Sequence, residues 1–163
     1  MKSSISSLFF TMKLPLKDYL FVGFQFFLFA VYLFNISIFP FSLPEYISIL
    51  GIVICGLGVV VLVLALLQLN TNLSPFPSPK TNSELIQTGL YQFIRHPIYT
   101  GILLMLFGFG IYQSSPYKLG ITLILFILFY FKSNYEEQRL ISKYDDYSVY
   151  KKITGRFFPK LKF

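Results

Sequence analysis

The sequence predicts an all-α, multi-pass transmembrane fold: about four membrane spans followed by a cytoplasmic C-terminal helix. Three observations predict it. Hydrophobic residues fill 55% of the 163 positions and charged residues only 13%, whereas a soluble domain carries about 25% charge. The apolar residues gather in long uncharged runs, as lipid requires. The basic residues cluster at the ends of those runs.

The chain opens with MKSSISSLFFTMKLPLKDYL. Its apolar stretch, Leu8 to Phe10, is too short for the hydrophobic core of a signal peptide, so the segment reads as a cytoplasmic lead-in. Leu20 to Phe39 carries no charge and has the ~20 residues that a helix needs to cross roughly 30 Å of hydrocarbon. Pro40 and Pro44 punctuate its exit. Tyr46 to Leu69 is the second uncharged span. Gly51, Cys55 and Gly58 recur along it at helical spacing, as small residues do where another helix packs closely. Cys55 is the single cysteine. It cannot form an internal disulfide and reads as a small packing residue. One cysteine and one histidine cannot complete a zinc site.

NTNLSPFPSPKTNSELIQTGLYQFIRH follows, and its prolines and polar residues mark a loop. Ile98 to Tyr112 and Tyr117 to Phe131 are shorter apolar runs split by QSSP, and read as a helical hairpin. Each is slightly short for a full span, so tilt, local thinning of the bilayer or packing deep within protein is expected. A polar tail starts at Lys132, with a helix expected from Lys132 to Lys152. Beyond it, YKKITGRFFPKLKF reads as a basic, aromatic return to the membrane surface, with Phe157 and Phe158 dipping into lipid.

Four spans put both termini on one side. Thirteen of the fourteen lysines and arginines then share that side, and only Lys118, in the hairpin loop, falls on the other. The middle loop, the tail and both termini are therefore expected in the cytoplasm. The net charge of +7 suits anionic lipid. Nucleic acid is a poor explanation for it, because the charges follow the membrane edges. Oligomeric state is not read from the sequence.

The chemistry concentrates in two segments on the cytoplasmic side: SELIQTGLYQFIRHPIY before the third run and KSNYEEQRLISKYDDYSVYKK after the fourth. The hairpin brings them together. Pro97 suits the first turn of a helix, whose free N–H groups and partial positive charge lie beside His96. Arg95 adds a fixed charge with five donors, and Gly89 lets the backbone pass close to a ligand or another chain. The same residues also fit a plain interfacial anchor, with Arg95 snorkelling and Tyr91 and Tyr99 at headgroup level. Glu136 and Glu137 fit either a solvated helix face or a carboxylate at the lip of a pocket, holding a ribose hydroxyl or an ammonium, or pairing with Arg95. No Walker loop, Ser-His-Asp arrangement or GxGxxG pattern occurs.

LIQTGLYQFIRHPIYTGILLMLFG, a second apolar helix and then NYEEQRLISKYDDYSVYKKITGRFFP resemble the isoprenylcysteine carboxyl methyltransferase family, whose C-terminal half is shared with phospholipid N-methyltransferases. The resemblance covers roughly residues 73–159. The first two spans match that family only in being spans; the chain's length suits one domain, a single membrane domain over 1–163 with lead and two spans in 1–69 and cofactor-binding loop, hairpin and tail in 70–163. The resemblance implies S-adenosylmethionine bound at the cytoplasmic face, with Leu85 and Ile86 lining the adenine and Gly89, Tyr91, His96, Pro97, Tyr99 and Glu137 in contact with the cofactor. Arg95 and Glu136 would be the catalytic pair. Lys132 matches a position where the prenylcysteine enzymes carry an arginine for the substrate carboxylate, and lysine lacks that bidentate fork.

The expected function is thus S-adenosylmethionine-dependent methylation of a lipid-like or prenylated acceptor, similar to prenylcysteine carboxyl methylation. The alternatives are a phospholipid amine N-methyltransferase and a non-catalytic membrane scaffold of the same fold.

Overall fold

A computed structural model of the chain describes residues 14–37, 42–80 and 82–160. Five α-helices account for most of it: α1 (Leu16–Tyr32), α2 (Glu45–Leu69), α3 (Pro97–Tyr112), α4 (Pro116–Lys143) and α5 (Tyr147–Ile153). Short 3-10 turns occupy Asn70–Asn72 and Gly89–Gln92. Among the described residues there is no strand, only one parallel bridge between Ile94 and Gly155.

α2 and α4 are long and apolar enough to cross a membrane. α1, with 17 residues, and α3, with 16, are apolar but shorter, each about 25 Å at 1.5 Å per residue. The sequence predicts the first span at Leu20 to Phe39. Its helix instead begins at Leu16, directly after Pro15, and ends at Tyr32. Asp18 in its first turn complements the positive end of the helix dipole. Residues 1–13 and the end of that expected span, residues 38 and 39, lie outside the described residues.

α2 matches its sequence reading to within a residue, and its small residues do what their spacing implies. A Cβ placed on Gly51 would lie 2.7 Å from Tyr112 N, and one on Gly101 would lie 2.6 Å from Leu62 N. Gly58 meets the Met105 backbone, and Gly108 that of Cys55. Two antiparallel backbones therefore touch through glycines, where dispersion between close helices replaces the hydrophobic effect that lipid cannot supply. The opposite side of α2 keeps Leu57, Val60 and Leu67 exposed.

α1 packs on α4 through Leu28, Tyr32, Leu125 and Phe129. Tyr32 Oη donates to Leu106 O at 2.6 Å, and Tyr117 Oη donates to Val31 O at 2.8 Å. Lys118 departs from its expected loop position. It lies in the first turn of α4, 3% exposed, and donates to Tyr32 O at 3.3 Å. Its ammonium sits 4.9 Å from the Tyr32 ring and 5.1 Å from Phe109. A cation at the negative end of α1, faced by two aromatic rings, is stabilised there.

The hairpin turn is Gln113–Ser115. Ser115 caps α4 by accepting from Lys118 N at 3.3 Å, with Pro116 at the first helical position. The sequence pattern ends the fourth apolar run at Phe131 and suggests a separate polar helix from Lys132. One continuous helix carries both, because no glycine or proline falls between residues 121 and 153. That helix stops at Lys143 rather than reaching Lys152. Tyr144 turns extended, with φ −123° and ψ 118°, and Asp145 and Asp146 favour a turn over helix. α5 then resumes at Tyr147.

Candidate functional site

The segment before α3 is held by the end of the chain. Arg95 N donates to Gly155 O at 2.9 Å, Gly155 N to Phe93 O at 3.1 Å, and His96 N to Arg156 O at 3.1 Å. Only glycine fits at 155, since a Cβ there would collide with Phe158 O. Thr100 Oγ1 adds a bond to Phe157 O at 2.8 Å. Phe157 is therefore buried in the core, and only Phe158 is exposed. This corrects the expectation that both rings dip into lipid: the tail clasps the segment leading into α3, where the N–H groups of Arg95 and His96 and the carbonyl of Phe93 would otherwise lack these partners.

Glu137 is the electrostatic centre of this clasp. Its side chain is fully buried. Arg95 Nε lies 2.9 Å and His96 Nε2 3.3 Å from Oε1, while Lys151 Nζ lies 2.9 Å and Arg156 Nη2 3.3 Å from Oε2. Arg95 Nη1 also donates to the carbonyls of Lys151 and Thr154. One buried carboxylate thus ties α4, the Arg95-His96 segment, α5 and the tail together. Breaking such a network leaves uncompensated charge in a dry site.

Glu136, one residue earlier, faces elsewhere. It accepts a hydrogen bond from Tyr99 Oη at 3.0 Å, and His96 Nδ1 lies 3.7 Å from its Oε2. The His96 ring stacks on Tyr99 at 5.4 Å, and Tyr99 stacks on Phe129 at 4.6 Å. Lys132 Nζ lies 5.4 Å from the Tyr99 ring. It donates to Gln25 Oε1 at 2.6 Å and Pro75 O at 2.9 Å, and no carboxylate lies within ion-pair distance of it among the described residues. A buried ammonium with three donors and two bonded neighbours keeps one donor to spare.

These side chains border a cavity of about 320 Å³. Of the residues singled out from sequence, Leu85, Ile86, Tyr91, Arg95, His96, Tyr99, Lys132 and Glu136 line it. Gly89, Pro97 and Glu137 stand off its wall. Gly89, at φ +61°, leaves room for the Gln68 carboxamide, whose Oε1 accepts from Leu90 N at 2.8 Å. Pro97 is buried as the first residue of α3. Glu137 acts from behind the wall, through Arg95 and His96.

The roof is the proline-rich loop 73–79, with Ser83 and Glu84 at its edge. Ser78 N bonds Asp18 Oδ2 at 3.2 Å, and Ser83 O accepts from Tyr144 Oη at 2.6 Å. The far wall is aromatic: Tyr144, Tyr147 and Tyr150 join Tyr91 and Tyr99. Tyr150 Oη donates to Tyr91 O at 2.5 Å. Burial, tempered by Arg95 and reinforced by Glu137, pushes its phenol up to about 12. Tyr147 is 1% exposed. Burial first, then Glu137, pushes its phenol well above the usual range, so it stays protonated. Its hydroxyl has no hydrogen-bond partner among the described residues. Sequence reading misses Gln25, Tyr147 and Tyr150. The Y-x-x-Y spacing is the available signal for the two tyrosines, and Gln25, a polar residue inside an apolar run, is the signal for itself.

The described residues thus form a helical bundle with an apolar exterior, two helices long and apolar enough to cross a membrane, and a cavity where the polar helix ends and the tail converge. A sequence model of the phospholipid methyltransferase family matches residues 46–147. The chain belongs to that family. It is 32% identical over 85 residues to the cobalt-zinc-cadmium resistance protein CzcN of Cupriavidus metallidurans, a match over 52% of this chain and 39% of that protein. The chain thus matches well under half the length of that relative. The solved eukaryotic intramembrane Ras methyltransferase, isoprenylcysteine carboxyl methyltransferase, superimposes with a TM-score of 0.65 at 22% identity. That match covers 88% of this chain and 50% of the other, and shows a shared fold.

Proposed function

We propose that the chain is an S-adenosylmethionine-dependent methyltransferase whose acceptor is a lipid-like molecule bearing an anionic group, of the prenylcysteine carboxylate kind. The observation that carries this reading is the cavity wall itself. On α4, one turn apart, stand Lys132, a buried cation with no carboxylate partner, and Glu136, an anion. Five tyrosines complete the wall.

The residues present fit the cofactor. The cavity volume lies at the lower end of the roughly 300–1,000 Å³ usual for small-molecule sites. Aromatic faces attract a compact cation, and Glu136 adds a charge of the right sign. The orphaned Tyr147 hydroxyl has a donor to offer. Leu85, Ile86 and Tyr91 supply an apolar, aromatic shelf for a purine, and His96 and Tyr99 the adjoining stacked wall. When bound, S-adenosylmethionine would supply a methyl group on a sulfonium, to be taken by the acceptor nucleophile in line with the breaking carbon–sulfur bond, with S-adenosylhomocysteine as the leaving thioether.

The protein's own contribution is alignment and dryness. Lys132 orients an acceptor anion, and its bonds to Gln25 and Pro75 fix where that charge sits. Arg95, held by Glu137 and the tail carbonyls, keeps the wall at His96 in place and presents positive charge to the same cavity. Neutralisation of charge between an anionic nucleophile and a sulfonium is favoured where water is excluded. The chain is read as one membrane domain with four spans and with the cavity, the tail and both termini on the cytoplasmic side, so that a polar cofactor arrives from water and the acceptor from the bilayer.

A second reading, phospholipid amine N-methylation, is favoured by the family match and by Glu136, which can take the proton a neutral amine must lose. The test is purified protein with methyl-labelled S-adenosylmethionine and either an S-farnesylcysteine derivative or phosphatidylethanolamine. Label that reaches the farnesylcysteine and is released by alkali as methanol is the expected result. Alkali-stable label in the phospholipid would select the second reading, and no transfer to either would overturn both.

A further inference from the structure

A second cavity lies on the lipid-facing side of the α1–α4 seam, away from the site above. It measures about 620 Å³ and is lined by Lys17, Leu20, Phe21 and Phe24 of α1 and by Leu128, Phe131, Asn134, Tyr135 and Gln138 of α4. Its composition is graded. Phe24, Leu128 and Phe131 form one end, and Lys17, Asn134, Tyr135 and Gln138 the other. From Lys17 to Phe24 and from Gln138 to Leu128 the groove runs about 10–15 Å at 1.5 Å per residue.

Lys17 stands at the polar end, and Arg139, just outside the lining and next to Gln138, meets it at the Tyr135 ring. Lys17 Nζ lies 5.9 Å and the Arg139 guanidinium 4.8 Å from the same Tyr135 ring. Arg139 Nη2 bonds Tyr135 Oη at 2.5 Å, while its Nε is buried with no partner among the described residues. All seven acidic residues of the chain lie among the described residues. None is within ion-pair distance of Lys17 or Arg139: of the two carboxylates on α4, Glu136 faces Tyr99 and His96, and Glu137 is committed to Arg95, Lys151 and Arg156. The Tyr135 ring attracts both cations, and among the described residues no carboxylate joins them.

We propose that this groove binds a phospholipid of net negative charge, with its acyl chain against Phe24, Leu128 and Phe131 and its phosphate at Lys17 and Arg139. The grading from apolar to cationic matches such a molecule end to end, and the groove opens where α4 turns from apolar to polar, at headgroup depth. The site is independent of methyl transfer. Basic residues near a membrane surface favour anionic lipid by about fivefold each; here the two act on a groove that also holds the chain.

Native mass spectrometry of the detergent-purified protein with equimolar dioleoyl phosphatidylglycerol and dioleoyl phosphatidylcholine tests this. Retention of phosphatidylglycerol at least about fivefold over phosphatidylcholine is expected. The Lys17→Gln, Arg139→Gln double variant brings the ratio close to one. A control that removes the same charge from α5 and the tail, Lys152→Gln with Lys160→Gln, leaves it intact. Leu20→Trp, which adds bulk to an exposed groove residue, displaces both lipids. Equal retention of the two lipids by the wild type, or an equal loss of preference in the control, overturns the proposal.

Discussion

Glu136 and Glu137 are adjacent on α4 and serve opposite sides of one wall. Glu136 lines the cavity and accepts from Tyr99 Oη at 3.0 Å, while Glu137, fully buried behind it, holds Arg95 Nε at 2.9 Å. The acidic pair therefore divides its work: one carboxylate faces the cavity, and the other fastens the segment that carries His96 and Tyr99.

The two should separate cleanly in mutants. Glu137→Gln leaves three cationic groups and a histidine around a neutral amide, and breaking a buried ionic network of this kind costs about 3–5 kcal/mol. Thermal unfolding in detergent should show a large fall in Tm. Glu136→Gln keeps an acceptor for Tyr99 and should stay within about 0.5 kcal/mol of wild type, while its methyl transfer falls. A small stability loss for Glu137→Gln would remove it from the centre of the clasp.

Glycines on α2 and α3 divide in the same way. Gly101→Ala puts a methyl 2.6 Å from Leu62 N, and overpacking of this kind costs about 1–3 kcal/mol. A methyl added at Gly56 would meet nothing within 4 Å, so Gly56→Ala should gain about 0.5–1 kcal/mol from better helix propensity. Opposite signs in unfolding experiments on the two variants are the expected outcome. Equal effects would mean that α2 and α3 do not meet through these faces.

Tyr147→Phe removes a hydroxyl that has no partner among the described residues. Leaving such a group buried costs about 1–3 kcal/mol, so the variant without ligand should be as stable as wild type or more so. Its affinity for S-adenosylhomocysteine should fall by about 2–10-fold, the worth of one neutral hydrogen bond. Tyr150→Phe, which loses the bond to Tyr91 O, should instead lower stability. Undiminished affinity in Tyr147→Phe would return that hydroxyl to packing alone.

Lys132→Met takes the unpaired cation off the cavity wall. With an anionic acceptor, KM should rise by about 10–100-fold, the range for a hydrogen bond to a charged group. Cofactor affinity should change little, and Lys132→Arg should recover part of the loss. An unchanged KM would favour an acceptor without an anion at that point.

Much of the architecture is readable because lipid imposes a simple code. Uncharged runs mark all four apolar helices, and Gly51, Cys55 and Gly58 mark the face of α2 that meets α3. The two polar segments flanking the hairpin mark where the cavity forms. Helix ends are less readable, since α4 passes from an apolar to a polar stretch without changing its backbone and nothing at Lys132 breaks it. Lys118 is misplaced by its sequence because charge alone cannot tell an exposed loop lysine from one capping α1 between two rings. Phe157 is misplaced for a related reason: its burial depends on the backbone pairing of Gly155 with Phe93 and Arg95, more than fifty residues away. Gln25 and Tyr147 reach the cavity only through packing between elements far apart in sequence.

The most direct test of the central claim is calorimetric titration of the detergent-purified protein with S-adenosylhomocysteine, alongside Glu136→Ala and Glu137→Gln. The account predicts micromolar binding by the wild type. It predicts a loss of more than tenfold in Glu136→Ala with the fold intact, whereas any loss in Glu137→Gln accompanies unfolding. A well-folded wild type that takes up no S-adenosylhomocysteine at millimolar concentration would contradict the account, and leave the clasp around Glu137 as the reason these residues meet.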